Sequence, residues 1–438
     1  MSDLSSWGRI SRDRGRRSVS ADAAHLGASS KEGSLLPYGN GRSYGDSCLN
    51  DFGMLIDSRR RNAVLRFDTE TGVLAAEAGI LLSEITRHVA PLGWFLPVTP
   101  GTQFVTLGGA IANDVHGKNH HRRGTFGRWV RSLELRRSDR GTLQCSPDVD
   151  TALFAASIGG MGLAGLIVAA EIQLIRVPSL TIAQTTTRFE NLGGYFRMAE
   201  AVDEQHEYAV AWIDTMSRGA AFGRGHLLAG DHAVEGDRTG IGRPPFASVP
   251  LTPPLSPLRG LPLKAFNSLV FRKAPAGTSR RDVLFDSFFY PLDRIGQWNR
   301  LYGPNGLHQH QSCIPLADHE AVVHALLECA RAHGQGSFLT VLKRFGSLPS
   351  PGLLSFPGPG YTLTLDFPHR GEKTLRMLAD LDRLTIEAGG RVNPYKDARM
   401  SAETFAAGFP DWAALEALRD PAMMSDFWRR TAGRLARP

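Results

Sequence analysis

PYGNGRSYGD (residues 37–46) and TPGTQFVTLGGAIANDVHGKNHH (residues 99–121) are the two stretches that decide the fold of this chain. The first holds Gly39, Gly41 and Gly45, which can adopt positive φ and leave no Cβ beside the backbone. Successive backbone N–H groups in such a turn form a nest that can bind a pyrophosphate. The second places Gly108 and Gly109 at the start of a small-residue run, against which a flat cofactor or a neighbouring strand can lie. Either stretch alone is equally consistent with a turn that binds nothing, but together they predict a large cofactor that carries phosphate groups.

Other nucleotide and metal sites lack their sequence patterns in this chain. A Rossmann dinucleotide site needs G-x-G-x-x-G between a strand and a helix, whereas Tyr44 stands where the third glycine is required. The chain has no G-x-x-x-x-G-K-[ST] motif, which argues against an ATP- or GTP-binding P-loop. It has neither an H-E-x-x-H motif nor paired C-x-x-C motifs, so we expect no metal site.

Length and composition predict a globular protein of two domains. At 438 residues the chain is too long for one ordinary domain, and 42% hydrophobic residues are enough to form cores. Its 50 Lys and Arg against 43 Asp and Glu give a net charge of +7, part of it near the ends at 9–17 and 429–437. The basic residues do not form one long tract with interleaved aromatics, so we expect no nucleic-acid partner. An anionic substrate or a membrane surface is a better explanation of the positive net charge than a nucleic acid.

The cysteines and the N-terminus predict a cytoplasmic location. Four cysteines are scattered along the chain, which is typical of a reduced compartment. The N-terminal sequence MSDLSSWGRISRDRGRRS lacks the apolar core of a signal peptide, and no run of 18 apolar residues could span a membrane. The basic ends could still bring the protein to the inner face of the plasma membrane by electrostatic attraction.

Hydrophobic patterning predicts a mixture of strands and helices. Short apolar runs between glycine turns indicate strands over 54–57, 63–68, 73–79, 130–138 and 165–177. Helical spacing indicates helices over 80–93, 151–160, 316–334 and 373–390, with strands in SFLTVLKRFG and YTLTLDF beside the last two. This mixture is α+β, without the regular βαβ alternation of a doubly wound sheet. The Pro- and Gly-rich stretch 216–280 is expected to be a long mobile loop or lid.

Several motifs resemble those of one family of flavoproteins. The two glycine stretches are similar to the FAD-binding signature of the vanillyl-alcohol oxidase fold, and more closely to that of the decaprenylphosphoryl-β-D-ribose oxidase family. HGKNHH (residues 116–121) is the most specific string among them. The other matching segments, in the family's order, are GRSYGD (41–46), GTFG (124–127), GGMGLAGLI (159–167), PLDRIGQWNRLYGPNG (291–306), FLTVLKRFG (338–346), LSFPGPGY (354–361) and KDAR (396–399).

The resemblance implies a two-domain α+β fold of the vanillyl-alcohol oxidase type. Residues 1–178 would form the FAD-binding domain, and 179–390 an antiparallel-sheet substrate (cap) domain that contains the mobile loop. Residues 391–438 would return to the FAD domain and bring Lys396 close to the flavin.

The same resemblance implies which residues bind the cofactor. Arg42 stands where many members of the superfamily carry a histidine bonded covalently to the flavin, so FAD is expected to be held non-covalently. His116 is expected to make a polar contact near the flavin ring. The complete expected set is Gly39, Asn40, Gly41, Arg42, Ser43, Tyr44, Gly45, Gly101, Thr106, Leu107, Gly108, Gly109, Asn113, His116, Gly162, Ile167 and Asn393.

Catalytic and substrate-binding residues are likewise implied by resemblance. Lys396, Lys118 and Tyr44 are the expected catalytic residues, since a buried lysine can lower its pKa and hold a hydroxyl or an anion. The polar wall of the sugar pocket would comprise Gln309, Gln311, Lys343, Thr362 and Thr364.

The chain departs from the family at three of these positions. Thr364 replaces a cysteine that faces the flavin in the mycobacterial members, Thr362 replaces an asparagine, and Asn393 replaces a tyrosine. The cysteine is not needed for hydride transfer, but the changed lining leaves the identity of the sugar open.

The implied activity is FAD-dependent oxidation of the C2 hydroxyl of a polyprenyl-phosphate-linked ribofuranose to the 2-keto sugar. This would be the first half of an epimerisation to arabinose, with a short-chain reductase as partner for the second half. A soluble sugar-lactone or alditol oxidase of the same fold is the alternative. A flavin-binding partner without catalytic activity is a third hypothesis, against which the lysines and HGKNHH argue.

Overall fold

A computed structural model describes residues 4–11, 15–22 and 33–435 of the chain. Positions 12–14 and 436–438, which belong to the basic ends, lie outside the described residues, as do residues 1–3 and 23–32 of the expected FAD domain. Across the described ranges, no helix combines the length and the apolar character needed to cross a membrane.

The first part of the chain, up to residue 178, forms a small parallel sheet and a larger antiparallel one. Its strands are β1 (Arg17–Ser20), β2 (Leu35–Tyr38), β3 (Met54–Asp57), β4 (Val64–Phe67), β5 (Val73–Glu77), β6 (Trp94–Phe95), β7 (Val130–Arg137), β8 (Gly141–Cys145), β9 (Leu166–Gln173) and β10 (Ile175–Arg176). Its helices are α1 (Leu82–Val89), α2 (Leu107–Ala112), α3 (His120–Arg123) and α4 (Thr151–Ser157). Strands β1, β3 and β2 pair in parallel, whereas β4, β5, β9, β7 and β8 form an antiparallel five-stranded sheet.

The sequence patterns of this part are confirmed element by element. Helix α1 buries Leu82, Ile85 and Val89, which lie three and four residues apart on one face. A short 3₁₀ turn then ends at Gly93, whose φ of 80° is in the left-handed region that glycine adopts without strain. The predicted strands and the helix over 151–157 also form.

The second part of the chain forms one large antiparallel sheet backed by helices. Its strands are β11 (Thr181–Phe189), β12 (Tyr208–Ile213), β13 (Gly225–His232), β14 (Ala247–Ser248), β15 (Thr278–Leu284), β16 (Ile295–Gly296), β17 (Leu307–Ile314), β18 (Thr340–Phe345), β19 (Gly360–Pro368) and β20 (Arg391–Val392). Its helices are α5 (Leu192–Gln205), α6 (Gly260–Lys273), α7 (Phe285–Phe289), α8 (His319–Ala332) and α9 (Glu372–Glu387). The eight-stranded sheet has the order β15-β11-β13-β12-β18-β19-β17-β20, and α5, α8 and α9 share a core with its strands.

The expectation of a mobile loop over 216–280 is wrong for much of that stretch. Strand β13 is an interior strand of the large sheet, paired with β11 on one side and β12 on the other. Helix α6 buries Leu263, Asn267 and Phe271, and β15 forms the edge of the sheet beginning at Thr278. The glycines and prolines that suggest a loop are concentrated between β13 and α6, where only the two-residue strand β14 forms.

The C-terminal segment contacts both parts of the chain. Strand β20 pairs with Ser312 and Cys313 at one edge of the large sheet. The following helices are α10 (Ala402–Gly408), α11 (Trp412–Leu418), α12 (Asp426–Arg430) and α13 (Ala432–Leu435), and they share a core with residues of both parts. Trp428 is completely buried in a core that also contains Leu36 and Leu55 from the first part.

Trp428→Ala should therefore destabilise the whole protein. Removing a buried aromatic side chain typically costs about 3–5 kcal/mol of the free energy of unfolding, and Trp428 also donates a hydrogen bond to Glu416 at 2.6 Å. Urea unfolding followed by circular dichroism measures the change. Phe52→Ala is the control, since Phe52 is 77% exposed. Equal stability of the two variants would show that the C-terminal helices do not hold the fold.

Candidate active site

A cavity of about 340 Å³ lies where the glycine stretches meet the large sheet. Its walls come from the turn after β2, from the segment around α2, from β17, β18 and β19, and from the C-terminal segment after β20. All three parts of the chain thus contribute to a single site. Pockets of this size, with few convergent polar groups, are typical of small-molecule and cofactor sites.

The glycines of the first stretch are required for two different reasons. Only Gly41 has a positive φ, at 58°. Gly39 and Gly45 do not use this freedom, and at these two positions the missing Cβ is what matters. A Cβ on Gly39 would collide with the Thr106 hydroxyl, and a Cβ on Gly45 would collide with the backbone carbonyl of Asp397. Gly39 therefore lets the two glycine stretches touch, and Gly45 lets the C-terminal segment approach the turn.

Arg42 is a partly buried cation in the wall of the cavity. Its guanidinium carbon lies 4.3 Å from the centre of the Trp7 ring and 5.5 Å from that of Phe104. Its Nε atom is buried without a hydrogen-bond partner among the described residues. Burial lowers the pKa of Arg42, and nearby Asp293 counteracts this. A buried donor without a partner, beside a glycine turn, fits an anionic group such as the phosphates of FAD.

The second glycine stretch forms the start of α2. Thr106 caps this helix, since its hydroxyl accepts a hydrogen bond from the Gly109 backbone N–H at 3.2 Å. A Cβ on Gly108 would approach Ala78 to 3.0 Å, so this glycine allows close packing against the residue after β5. A Cβ on Gly109 would meet only the Thr106 hydroxyl, also at 3.0 Å, and Gly109 lines the cavity. This arrangement leaves room for a cofactor along the helix N-terminus.

His116 is the centre of a buried polar network. The Nζ atom of Lys343 lies 2.9 Å from its Nδ1 atom, and the Gln311 amide lies 3.0 Å from its Nε2 atom. Lys343 also donates to the Gly117 carbonyl at 2.7 Å. The Gln311 carbonyl accepts from the Asn393 amide at 2.9 Å. Burial, followed by the charge of Lys343, holds the pKa of His116 well below its usual value, so this ring is neutral at pH 7.

Asp366 is a buried carboxyl group that the sequence patterns did not single out. It is 1% exposed and accepts a hydrogen bond from the Gln309 amide at 2.5 Å. Burial raises its pKa, and the hydrogen bond from Gln309 and the charge of Lys396 lower it. Burial lowers the pKa of Lys396, and the negative charge of Asp366 opposes this shift. The Lys396 Nζ atom lies 4.4 Å from the centre of the Tyr44 ring. Alternation along β19 was the available signal, since Thr364 and Asp366 are two residues apart on one face.

The cavity contains three lysines. Lys118 donates to the Phe289 carbonyl at 3.0 Å, and its burial lowers its pKa to about 8, with an opposing effect from Asp293. Burial lowers the pKa of Lys343 well below its usual value, and Lys118 and Lys396 lower it further. The shared cavity therefore favours binding of an anion, which would compensate these positive charges.

Cys48 is the one cysteine that lines the cavity. Burial raises the pKa of its thiol to about 12. Thr364 lies in the same wall, on β19, at the position where the resemblance implies a cysteine in the mycobacterial enzymes.

The cavity brings together most of the residues predicted from the sequence. Three of the predicted residues do not line it: Gly45, Leu107 and Thr362. Gly45 packs against Asp397, and the Leu107 side chain lies in the core of the first part. Thr362 lies behind the wall, where its hydroxyl accepts a hydrogen bond from the Gln311 amide at 3.0 Å. The predicted residues that do line the cavity are Gly39, Asn40, Gly41, Arg42, Ser43, Tyr44, Gly101, Thr106, Gly108, Gly109, Asn113, His116, Lys118, Gly162, Ile167, Gln309, Gln311, Lys343, Thr364, Asn393 and Lys396.

Comparison with known proteins identifies the class to which this site belongs. The sequence profile of the FAD binding domain matches residues 23–146, which contain both glycine stretches. The chain is 33% identical over 414 residues to decaprenylphosphoryl-beta-D-ribose oxidase of Mycolicibacterium smegmatis, covering 90% of this chain and 88% of that protein. It is also 34% identical over 368 residues to an uncharacterised protein of Streptomyces coelicolor, covering 80% of this chain and 99% of that one.

The fold, the site and these similarities define an FAD-dependent oxidoreductase with a vanillyl-alcohol oxidase-type fold, as the sequence predicted. The chain belongs to the decaprenylphosphoryl-β-D-ribose oxidase family. Similarity to L-gulonolactone oxidase of Mus musculus, at 30% identity, covers only 34% of this chain and 33% of that protein. The comparisons therefore favour a ribose oxidase over a lactone or alditol oxidase.

Gly109→Val should abolish FAD binding. The two added methyl groups would enter the cavity beside the helix N-terminus, because the Thr106 hydroxyl is the only group that a Cβ at Gly109 would meet. The FAD content of the purified variant, from absorbance at a known protein concentration, measures the effect.

Gly193→Val is the matched control, because Gly193 is also in the first turn of a helix. A Cβ there would meet only side-chain atoms, those of Arg197 and Glu320 at 3.3 Å and the Asn191 Oδ1 atom at 3.7 Å. Normal FAD content in both variants would remove Gly109 from the site.

Proposed function

We propose that this enzyme oxidises the C2 hydroxyl of a polyprenyl-phosphate-linked ribofuranose to the 2-keto sugar, with FAD held non-covalently. The observation that carries the proposal is the cavity with three lysines beside both glycine stretches. Its mixture of cations, amides and hydroxyls suits a sugar phosphate. The 33% identity across nine-tenths of the chain to a protein named for oxidation of decaprenylphosphoryl ribose supports the same substrate class.

The two glycine stretches would hold the cofactor. Gly39, Gly41 and Gly109 leave backbone open to its phosphates, and Arg42 supplies a partly buried positive charge. His116 and Asn393 would contact the flavin ring from the side of the large sheet. Arginine forms no covalent bond to a flavin, so Arg42 supports non-covalent binding.

Denaturation should therefore release intact FAD. After precipitation with acid, the yellow colour should be in the supernatant, because no side chain holds the flavin covalently. Absorbance of the supernatant and pellet measures the distribution. Flavin that stays with the precipitated polypeptide would contradict the role given to Arg42.

Lys396 and Asp366 would handle the proton of the substrate hydroxyl. When bound, FAD supplies the acceptor for the hydride that leaves C2 of the sugar. The hydroxyl proton would pass to the neutral amine form of Lys396, which predominates only above about pH 8 because burial lowers its pKa to about that value. The ionised carboxylate of Asp366 stabilises the ammonium that results, and Gln309 holds that carboxylate in place.

The remaining polar groups would bind the rest of the substrate. Lys118 and Lys343 would attract its phosphate and orient the sugar hydroxyls. Gln311 and Thr364 would form hydrogen bonds to the sugar, and Thr362 would position Gln311 from behind the wall. A short-chain reductase would then reduce the ketone from the opposite face, which completes an epimerisation to arabinose. We place both steps in the cytoplasm, at the inner face of the plasma membrane.

Anaerobic mixing of the FAD-loaded enzyme with a panel of sugars tests the substrate class. A lipid-linked ribofuranose should bleach the flavin absorbance, whereas free ribose, sugar lactones and alditols should not. Bleaching by lactones or alditols but not by the lipid-linked sugar would replace the proposal with the alternative of a soluble sugar oxidase.

Lys396→Ala should slow flavin reduction by about 100-fold or more, since the variant lacks the group that takes the proton. Stopped-flow absorbance under anaerobic conditions measures the rate, after the FAD content has been shown to be normal. Lys373→Ala is the control, because Lys373 is an exposed lysine on α9. Near wild-type reduction by Lys396→Ala would exclude a catalytic role, and Lys118 and Tyr44 would then be the residues to test.

Substrate binding should weaken as the pH rises through about 8. The lowered pKa of Lys118 means that its ammonium form predominates only below about pH 8. Above that pH the neutral amine no longer attracts a phosphate, so KM should rise, by up to about tenfold per pH unit. In Lys118→Arg the guanidinium stays charged, and KM should change less with pH. An identical pH dependence in both enzymes would assign the effect to another group.

A further inference from the structure

An exposed apolar surface lies on residues 241–269, within the stretch between β13 and β15. Among the described residues, half of the large hydrophobic side chains that are exposed come from this short segment. They are Ile241, Phe246, Leu251, Leu255, Leu261, Phe266 and Leu269, with exposed fractions between 42% and 80%. Exposed apolar side chains that cluster in this way are typical of interaction sites.

The stretch that surrounds these residues, from 238 to 281, carries a strong positive charge. Residues 238–281 contain eight Lys and Arg residues and no Asp or Glu. The whole chain has a net charge of +7, so the rest of the protein is close to neutral. The eight basic residues are Arg238, Arg243, Arg259, Lys264, Arg272, Lys273, Arg280 and Arg281.

Helix α6 presents these apolar and basic residues together. Its inner face is anchored by Leu263, Asn267 and Phe271, and the Asn267 amide donates to the Ser337 carbonyl at 3.2 Å. On its other side, Leu261 is 80% exposed and Leu269 is 67% exposed. Lys264 is exposed on this helix as well, and Arg272 and Lys273 lie in its last turn. A helix with one face anchored and an opposite face of leucine and basic residues is suited to lie at a lipid surface.

This surface adjoins the wall of the active-site cavity. Strand β14 pairs with β16, and Arg300 donates to the carbonyls of Val249 and Pro250 at 3.0 and 2.7 Å. The segment therefore rests on residues 294–303, which include the cavity residue Trp298. Leu258 also packs against the cluster formed by Trp298 and Tyr44. A molecule held at this surface is thus close to the substrate cavity.

We infer that residues 241–273 dock on a bilayer containing anionic lipids, so that the lipid tail of the substrate stays in the membrane while the sugar enters the cavity. This inference rests on the proposed lipid-linked substrate. Basic side chains are attracted to anionic headgroups, and the leucines and phenylalanines can enter the boundary with the acyl chains. A second copy of the chain is a poorer partner for residues 241–273, because two positively charged surfaces without acidic residues repel each other.

Vesicle sedimentation with the full-length, FAD-loaded protein tests the surface. The protein should pellet with vesicles of phosphatidylcholine and phosphatidylglycerol at low salt, and less with phosphatidylcholine alone. Arg272→Glu/Lys273→Glu and Leu251→Asp/Leu261→Asp should each lower the partition coefficient about tenfold or more.

The controls are Arg370→Glu/Lys373→Glu and Leu65→Asp/Val149→Asp, which change exposed residues outside the stretch 238–281. Melting temperatures of all variants show whether they are folded. Failure of the wild type to bind anionic vesicles would overturn the inference, as would equal losses in surface and control variants. The surface would belong to a protein partner instead if the protein bound no vesicles and either of two results were seen. One is capture of the reductase without lipid, and the other is a dimer that Leu251→Asp/Leu261→Asp breaks.

The result is separable from the proposed function. Surface variants should reduce their flavin at wild-type rate with a short-chain, detergent-soluble analogue of the lipid-linked ribose. Loss of that reaction in the wild type would refute the substrate, whereas loss of vesicle binding alone would refute the docking surface.

Discussion

The bonding of Arg430 to two aspartates holds the site together. Its guanidinium donates to Asp46 at 2.7 Å and to Asp397 at 2.8 Å, so that the first glycine turn is joined to the segment after β20. Burial of Asp397 raises its pKa, but the positive charges of Arg399 and Arg430 lower it more, so that the pKa of Asp397 is about 2. The Asp397 carboxylate is therefore charged at neutral pH. Because the Asp397 carbonyl lies where a Cβ of residue 45 would be, this link also requires Gly45 and brings Lys396 beside Tyr44.

The cavity concentrates positive charge without enough negative charge to balance it. Lys118, Lys343 and Lys396 all have lowered pKa values, since burial removes the water that would solvate them. Asp366 and Asp293 counteract this for Lys396 and Lys118, respectively. Lys343 contacts a neutral histidine and a backbone carbonyl instead. A site built in this way favours an anionic ligand and keeps one amine available to accept a proton.

Local patterns predicted the secondary structure well wherever periodicity is strong, as in α1, α8 and α9. They failed over 216–280, because the glycines and prolines near β13 obscured a strand that is stabilised mainly by its neighbours in the sheet. The resemblance implies a cofactor contact for Leu107, but the helix turns its side chain into the core. Asp366 shares a face of β19 with Thr364, but this alternation alone does not distinguish a functional carboxyl group from a structural one. Its importance follows from contacts with Gln309 and Lys396, which are distant in sequence.

The cavity wall also determines how the enzyme responds to electrophiles and oxidants. Reagents that attack cysteine react with the thiolate form, and the Cys48 thiol, with a pKa of about 12, is almost entirely protonated at neutral pH. Thr364 offers a hydroxyl group, which such reagents do not modify under the same conditions. Compounds that depend on covalent capture by a cysteine next to the flavin would therefore bind this site only reversibly. Oxidation of Cys48 by peroxide should likewise be slow, because oxidation follows the thiolate form.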